Sequence, residues 1–275
     1  MMIRASQPVA HAMPGEASTL ARKRAMWINQ DRVVYVGLVG QPSIRNLGAY
    51  AIYLSPRGEH RVSVEGGPDQ HGPLSFVPPY VPHQLASDER TICTILIEPE
   101  TVDPEQLPAF FTQPQWRDKT EIIEGLLRAL ARFTEHPGSG FHSTAQFDLA
   151  FFGAPLVCRG IDARVANVVQ FVKAQPQGHM SAEECAERVN LSVSRFLHLF
   201  KGQFGVAFRN YRAWHRARSI LRCVTQEMNL VDVALDAGYP DSSHFSHSMR
   251  HYYGRAPRSI FVGSRKLTLV HNANV

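Results

Sequence analysis

The stretch Ala237–Pro257, AGYPDSSHFSHSMRHYYGRAP, is the second copy of a pattern that the chain carries once before. Ala186 and Asn190, followed by Phe196, Phe200 and Gly205, are matched by Ala234 and Gly238, followed by Phe245, Met249 and Gly254, with one extra residue near Pro240 in the second copy. Each copy reads as helix, tight turn, helix. The small alanine lets the second helix cross close to the first. Asn190 or Gly238 supplies the left-handed backbone that a sharp turn requires, and Ser192 or Asp241 is placed to cap the helix that follows. A helix-turn-helix built this way presents its second helix to the major groove of DNA.

At about 100° per residue the two reading helices separate into faces. In the first, Val193, Phe196, Leu199, Phe200 and Phe204 form a core stripe; Ser194, Arg195, His198 and Lys201 point outward, with Leu197 on the boundary. In the second, Phe245, Met249, Tyr252 and Tyr253 are core, and Ser246, His247, Arg250 and His251 face away. His244, His247 and His251 lie along one side of a helix, but zinc sites gather ligands from more than one element. No metal is expected there: the imidazoles either meet DNA or are plainly exposed. Val206–Val224 joins the copies and spans about 28 Å if helical throughout, at ~1.5 Å per residue. Such a strut suits adjacent major-groove segments about 34 Å apart.

Charge supports this division. The chain of 275 residues has a net charge of +5, but from Gly160 onward basic residues outnumber acidic ones, while the preceding part is slightly acidic. A local basic excess suits a polyanionic partner. No apolar run approaches the ~18 residues of a membrane span, and the N-terminus lacks the apolar core of a secretory signal, so a cytoplasmic protein without a membrane partner is expected. Cys93, Cys158, Cys185 and Cys223 are scattered without a CxxC pair, as for reduced thiols.

Ahead of the repeat the chain changes character. VVYVGLV, AYAIYLS, HRVSVEG, PLSFVPP and RTICTILIE are short runs rich in β-branched and aromatic residues, separated by Gly, Pro, Asp and Asn, which points to a small antiparallel sandwich or barrel. DKTEIIEGLLRALARF is amphipathic through Ile122, Leu126, Leu130 and Phe133, and buries that stripe either on the barrel or against its twin in a dimer. DARVANVVQFVKAQ is the next helix, and Ser181 with Glu184 has capping-box spacing.

MSAEECAERVNLSVSRFLHLFKGQFG and NLVDVALDAGYPDSSHFSHSMRHYYGRAPRS together resemble the DNA-binding domain of the AraC/XylS family, over about Asp162 to Phe261. The resemblance implies that Ser194, Leu197 and His198, and Ser242, Ser243, Ser246 and His247, stand where bases or nearby backbone are met, and that Arg195, Lys201 and Arg250 meet phosphate. His247 departs from the pattern, since Arg or Lys is common there. Met249 replaces a usual Phe, and Asn190 a frequent Gly. The family further implies an N-terminal cupin-like barrel that binds a small effector and aids dimerisation. HGPLSFVPPYVPHQL, His71–Leu85, is similar to the strand, proline turn and strand of its second motif.

The expected architecture is α+β: a flexible tail over 1–24, a cupin-like barrel over 25–110, a helical dimerisation and linker region over 111–160, a DNA-binding domain with two helix-turn-helix units joined by a long helix over 161–262, and a C-terminal tail over 263–275. Tyr50, Ile52 and Leu54, Val62 and Val64, and Leu74 and Phe76 alternate along strands as candidate pocket walls, with His83 beside them. Double-stranded DNA, an unidentified effector, RNA polymerase and a second copy of the chain are the expected partners, with no cofactor. The expected function is sequence-specific transcription regulation and not catalysis. Two alternatives stand beside it: a metal-dependent cupin-type enzyme built around His83, and a ligand-independent DNA-binding dimer.

Overall fold

The computed structural model describes residues 24–113, 120–178 and 180–271. The tail expected over 1–24 lies outside them except for Arg24. Among the described residues the N-terminal half holds nine strands: β1 Ala25–Ile28, β2 Arg32–Leu38, β3 Ile44–Arg45, β4 Tyr50–Leu54, β5 His60–Val64, β6 Gln70–Gly72, β7 Leu74–Val77, β8 His83–Ser87 and β9 Thr91–Ile97. They form a jelly-roll-like sandwich of two sheets rather than a closed ring. The larger sheet runs β10-β1-β2-β9-β4-β7, where β10 is Thr268–His271, and the smaller runs β3-β8-β5-β6.

Strand β10, Thr268–His271, corrects the tail expected over 263–275: it pairs in parallel with β1, Ala25 opposite Thr268 and Ile28 opposite His271. The chain thus returns to the sandwich after the helical domain. TLV, a threonine followed by two apolar residues, extends an edge that would otherwise leave β1 unpaired on one side.

The larger sheet is buried on both faces. On one side Trp27, Ile52, Leu54, Leu74, Phe76 and Ile95 pack under the helices α1 Ala109–Thr112, α2 Thr120–Glu135 and α3 Thr144–Phe152. The stripe Leu126, Leu130 and Phe133 of α2 is spent on this face, which settles where that amphipathic helix lies within one chain. Helix α3 is capped by Ser143 and closed by Gly153 in the left-handed conformation.

On the other side Met26, Val33, Ala51, Tyr53 and Leu96 share one continuous core with Val62 and Leu85 of the smaller sheet and with Trp214, Ala217, Phe245 and Met249 of the helical domain. The two domains are therefore packed as one body. The helical domain comprises α4 Ala163–Ala174, α5 Ala182–Arg188, α6 Val193–Phe204, α7 Phe208–Ser219, α8 Leu230–Asp236, α9 Ser242–Tyr253 and α10 Pro257–Ser264. The connecting strut is shorter than the unbroken helix expected over Val206–Val224. Helix α7 ends at Ser219 and a 3-10 turn, Ile220–Arg222, follows, so the regular part spans about 18 Å at ~1.5 Å per residue.

Candidate nucleic-acid interface

In the first helix-turn-helix unit, Ser181 and Glu184 form the full capping box at the start of α5, the turn passes through Asn190 at φ 54°, and the Ser192 hydroxyl accepts from the Arg195 amide to start α6. In the second, Asn229 caps α8 and Gly238 takes φ 76°. Asp241 accepts from the Ser243 and His244 amides at 2.8 Å each and holds the His244 ring at 2.8 Å through the Nδ1 nitrogen. Gly205 and Gly254 end α6 and α9 in matching left-handed caps.

The inward faces are those the periodicity predicts: Phe196, Phe200, Phe245 and Met249 are buried, while Tyr253 is half-buried. Ser194, Arg195, Leu197, His198 and Lys201 of α6, and Ser242, Ser243, His247 and Arg250 of α9, are exposed, with Ser246 half-buried. Leu197 is 38% exposed, so it does not complete the core. Two protruding helix faces carrying serines, imidazoles and cations offer both hydrogen-bonding groups for base edges and charge for phosphate.

The rod between the units is anchored in the sandwich by a buried polar network that composition did not reveal. Glu98 and Glu100 leave the end of β9 and meet one face of α7. The Arg218 Nε lies 2.5 Å from Glu98, and its guanidinium also donates to the Asn29 carbonyl at 2.7 Å. The Trp214 indole N–H donates to Glu98 at 2.8 Å, and the Tyr211 hydroxyl to Glu100 at 3.2 Å. Lys173 of α4 joins Glu100 at 3.3 Å and pairs with Asp31. His215 lies 3.5 Å from Glu100.

Burial pushes the Glu98 carboxyl up, to about 7, a rise that Arg218 restrains and Glu100 reinforces. Burial, with Lys173 and Arg218 nearby, drives His215 well below its ordinary range and keeps it neutral. Glu98, Glu100 and His215 bring ligand atoms within 4.8 Å of one another, but Arg218 and Lys173 already neutralise these carboxylates, and their charge opposes a divalent cation.

A second feature lies where the sandwich meets the second unit. A cavity of about 270 Å³ is walled by Met26, Leu47, Leu96, Leu221, Ile260 and other apolar residues, with Arg45 of β3 and Arg255 just after α9 among its lining residues. Burial, and then the charge of Arg45, depress the Arg255 guanidinium, and both arginines line the same cavity. Arg45 Nε is buried without a hydrogen-bond partner, whereas Arg255 donates to the Gln41 carbonyl.

The pocket walls expected from strand alternation fall on two opposite sides of the larger sheet. Ile52 faces Phe76 and Leu54 faces Leu74 across β4 and β7, and with Tyr50 they lie on the helix-covered side, where Phe76 meets Phe111 edge-on at 5.0 Å between centroids. Val62, Val64 and His83 belong to the opposite side. His83 is buried, with Nε2 2.6 Å from the Tyr53 hydroxyl and Nδ1 2.8 Å from the Val81 carbonyl. Both ring nitrogens are engaged, so neither is free for a metal. Alternation identifies residues that share a face but not which face is the interior. The signal for the missed network was the stripe Tyr211, Trp214, His215 and Arg218, which puts ionisable groups at core spacing.

A family model described as a helix-turn-helix domain matches residues 185–261. The chain is 28% identical over 105 residues to the arabinose operon regulatory protein of Salmonella typhimurium, covering 38% of this chain and 37% of that protein. It is 33% identical over 97 residues to the HTH-type transcriptional activator RhaS of Mannheimia succiniciproducens, covering 35% and 36%. These alignments thus span little more than a third of either relative. The structure of unsaturated fatty acid bound ToxT from Vibrio cholerae matches with a TM-score of 0.55 at 13% identity, over 86% of this chain and 96% of that one, which shows a shared fold. No helix among the described residues is long and apolar enough to cross a membrane. Residues 185–261 thus form a helix-turn-helix domain similar to those of these AraC- and RhaS-type regulators.

Proposed function

We propose that the protein is a sequence-specific transcription regulator whose two reading helices, α6 and α9, occupy major-groove segments on one face of a DNA duplex, under the control of a small effector. The observation that carries this reading is the pair of exposed faces on duplicated helix-turn-helix units, each held by a buried aromatic stripe. Ser194, Leu197, His198, Ser242, Ser243, Ser246 and His247 meet bases or the backbone beside them; Arg195, Lys201 and Arg250 meet phosphate. A duplex selected from a random-sequence pool tests the division of labour. Arg250→Ala is expected to weaken binding to all sequences alike and to lower the salt slope by about one, whereas His247→Ala shifts sequence preference at one half-site by about 1–3 kcal/mol. Equal weak binding to every duplex rejects the reading.

The effector we infer is a carboxylate with an apolar body, seated in the cavity beside Arg45 and Arg255. Its walls suit hydrocarbon, its volume lies near the lower end of ligand pockets (~300–1,000 Å³), and two converging guanidiniums suit a carboxylate. The fatty acid bound by ToxT makes the same class a reasonable probe. Oleate at a hundredfold its dissociation constant is expected to raise the melting temperature by roughly 5–10 °C. Oleyl alcohol, and the Arg45→Ala/Arg255→Ala variant with oleate, should give little shift. Equal shifts from acid and alcohol would reject carboxylate recognition. A homodimer and a contact with RNA polymerase belong to the same proposal; light scattering on the purified chain tests the first.

A further inference from the structure

Helix α9 carries a feature that a base-reading role alone does not use. His247 and His251, one helical turn apart, are both exposed, and their rings lie nearly parallel, 9° apart, with centroids separated by 6.5 Å. Arg250 stands beside them on the same exposed face. The surrounding groups are few. On α9 itself His244 is paired with Asp241, and the Tyr252 ring meets His251 edge-on at 4.8 Å. From the sandwich, the Asn46 amide lies 3.3 Å from the His251 Nε2, and Asn46 N–H donates to the His251 carbonyl at 3.0 Å. Arg45 precedes Asn46, and Arg255 follows the helix. No carboxylate is shown paired with either ring, so nothing in the described contacts favours a charged imidazole in the free protein. Burial, and then His247, hold His251 below its ordinary value.

We propose that His247 and His251 form a proton-dependent phosphate contact, so that the second helix-turn-helix unit takes up a proton when it closes on DNA. This rests on the DNA-binding reading above and adds a regulation to it. The physical reason is linkage. A polyanion set against an imidazole stabilises the charged ring and raises its pKa, and two parallel rings at this separation oppose double charging until phosphate arrives. Arginine in place of His247 would supply a permanent charge; histidine supplies one that depends on pH. Burial opposes charge on His251 in the free protein, phosphate favours it in the complex, and affinity therefore rises as pH falls.

The test uses the full chain and a duplex selected from a random-sequence pool, titrated by fluorescence anisotropy at constant ionic strength between pH 6 and pH 8. Wild-type affinity is expected to increase about tenfold from pH 8 to pH 6, with a slope approaching one proton per complex at the acid end. His247→Gln/His251→Gln is expected to bind more weakly than the wild type at pH 6 and with an affinity that does not vary with pH across the range. His247→Arg should bind at pH 8 as tightly as the wild type does at pH 6, with a much flatter profile. His198→Gln, on the first unit, reports whether another exposed imidazole accounts for the dependence. Melting curves across the same pH range separate binding from folding. A flat wild-type profile, or a slope unchanged in the double variant, overturns the proton linkage while leaving DNA binding intact. Failure of any duplex to bind at any pH removes the DNA-binding reading and this inference together.

Discussion

Replacing Glu98 by alanine is expected to lower the free energy of unfolding by about 3–5 kcal/mol, the loss typical of a buried ion pair deprived of one partner. Glu98 is fully buried and is the group on which the Arg218 guanidinium and the Trp214 indole converge, at 2.5 Å and 2.8 Å. Without it, the buried Trp214 N–H loses its acceptor, and the Arg218 guanidinium loses its carboxylate and keeps only the Asn29 and Arg32 carbonyls. At roughly 2–4 °C per kcal/mol for a chain of this class, the melting temperature should fall by about 10 °C or more. A joint Glu98→Leu/Arg218→Met replacement removes both charges and should recover much of the loss, because burial of the pair repays little more than its desolvation. A Glu98→Ala melt coincident with the wild type would show that the network does not hold the domains together.

The same cluster makes a pH prediction whose sign can be worked out. Glu98 is raised from 4.5 to about 7 in the folded chain, so its contribution is fully present below 4.5 and lost as the pH rises through 7. His215 is held well below its ordinary 6.5, so its contribution is present above 6.5 and lost as the pH falls. Between 4.5 and 6.5 the two slopes oppose, and the pair leaves wild-type stability nearly level. Glu98→Gln removes only the first. Its stability should therefore decline on acidification below pH 6.5, by up to about 1.4 kcal/mol per pH unit, as urea titrations at pH 5, 6 and 7 would reveal. A Glu98→Gln stability that follows the wild type over that range would contradict this pairing of roles.

Legibility of the sequence followed the locality of each interaction. The second-unit turn, its Asp241 cap and the faces of α6 and α9 depend on residues within one or two helical turns of each other, and spacing alone located them. The sandwich was legible as a set of strands, but its interior was not: β4 and β7 are buried on both faces, so Ile52, Leu54, Leu74 and Phe76 alternate as interior residues would while lying beneath helices. Arg45 and Arg255 are separated by most of the chain, and nothing in either local sequence signals their convergence. The return of the chain to β1 as β10 was missed for the same reason, since a short edge strand at a terminus is specified by its distant partner. The shortened rod has a different cause. SILRCV continues an apolar helical pattern in sequence, yet the backbone tightens at Ile220, where Leu221 and Val224 turn to wall the cavity shared with the sandwich.

Gly238→Ala is expected to damage the molecule more than any single change on the reading faces. Gly238 holds φ 76°, where a Cβ costs about 1–2 kcal/mol, and that Cβ would lie 2.4 Å from the Gln177 carbonyl oxygen, a backbone atom with no rotamer to escape into. The combined loss should be roughly 2–4 kcal/mol. Gln177 belongs to the turn between α4 and α5, ahead of the first unit, so relief of the clash must shift one helix-turn-helix unit against the other. A duplex carrying both half-sites gains from simultaneous engagement, an advantage that disappears when geometry forbids it. Its affinity for Gly238→Ala should fall by more than tenfold, while binding to an isolated first half-site changes little. Asn190→Gly provides the internal comparison: Asn190 occupies the equivalent turn at φ 54° and is exposed, so glycine should be accepted within about 0.5 kcal/mol. If Gly238→Ala melted like the wild type and kept its advantage on the double site, contact between the two units would not fix their spacing, and the mutual orientation of α6 and α9 would have to come from the sandwich alone.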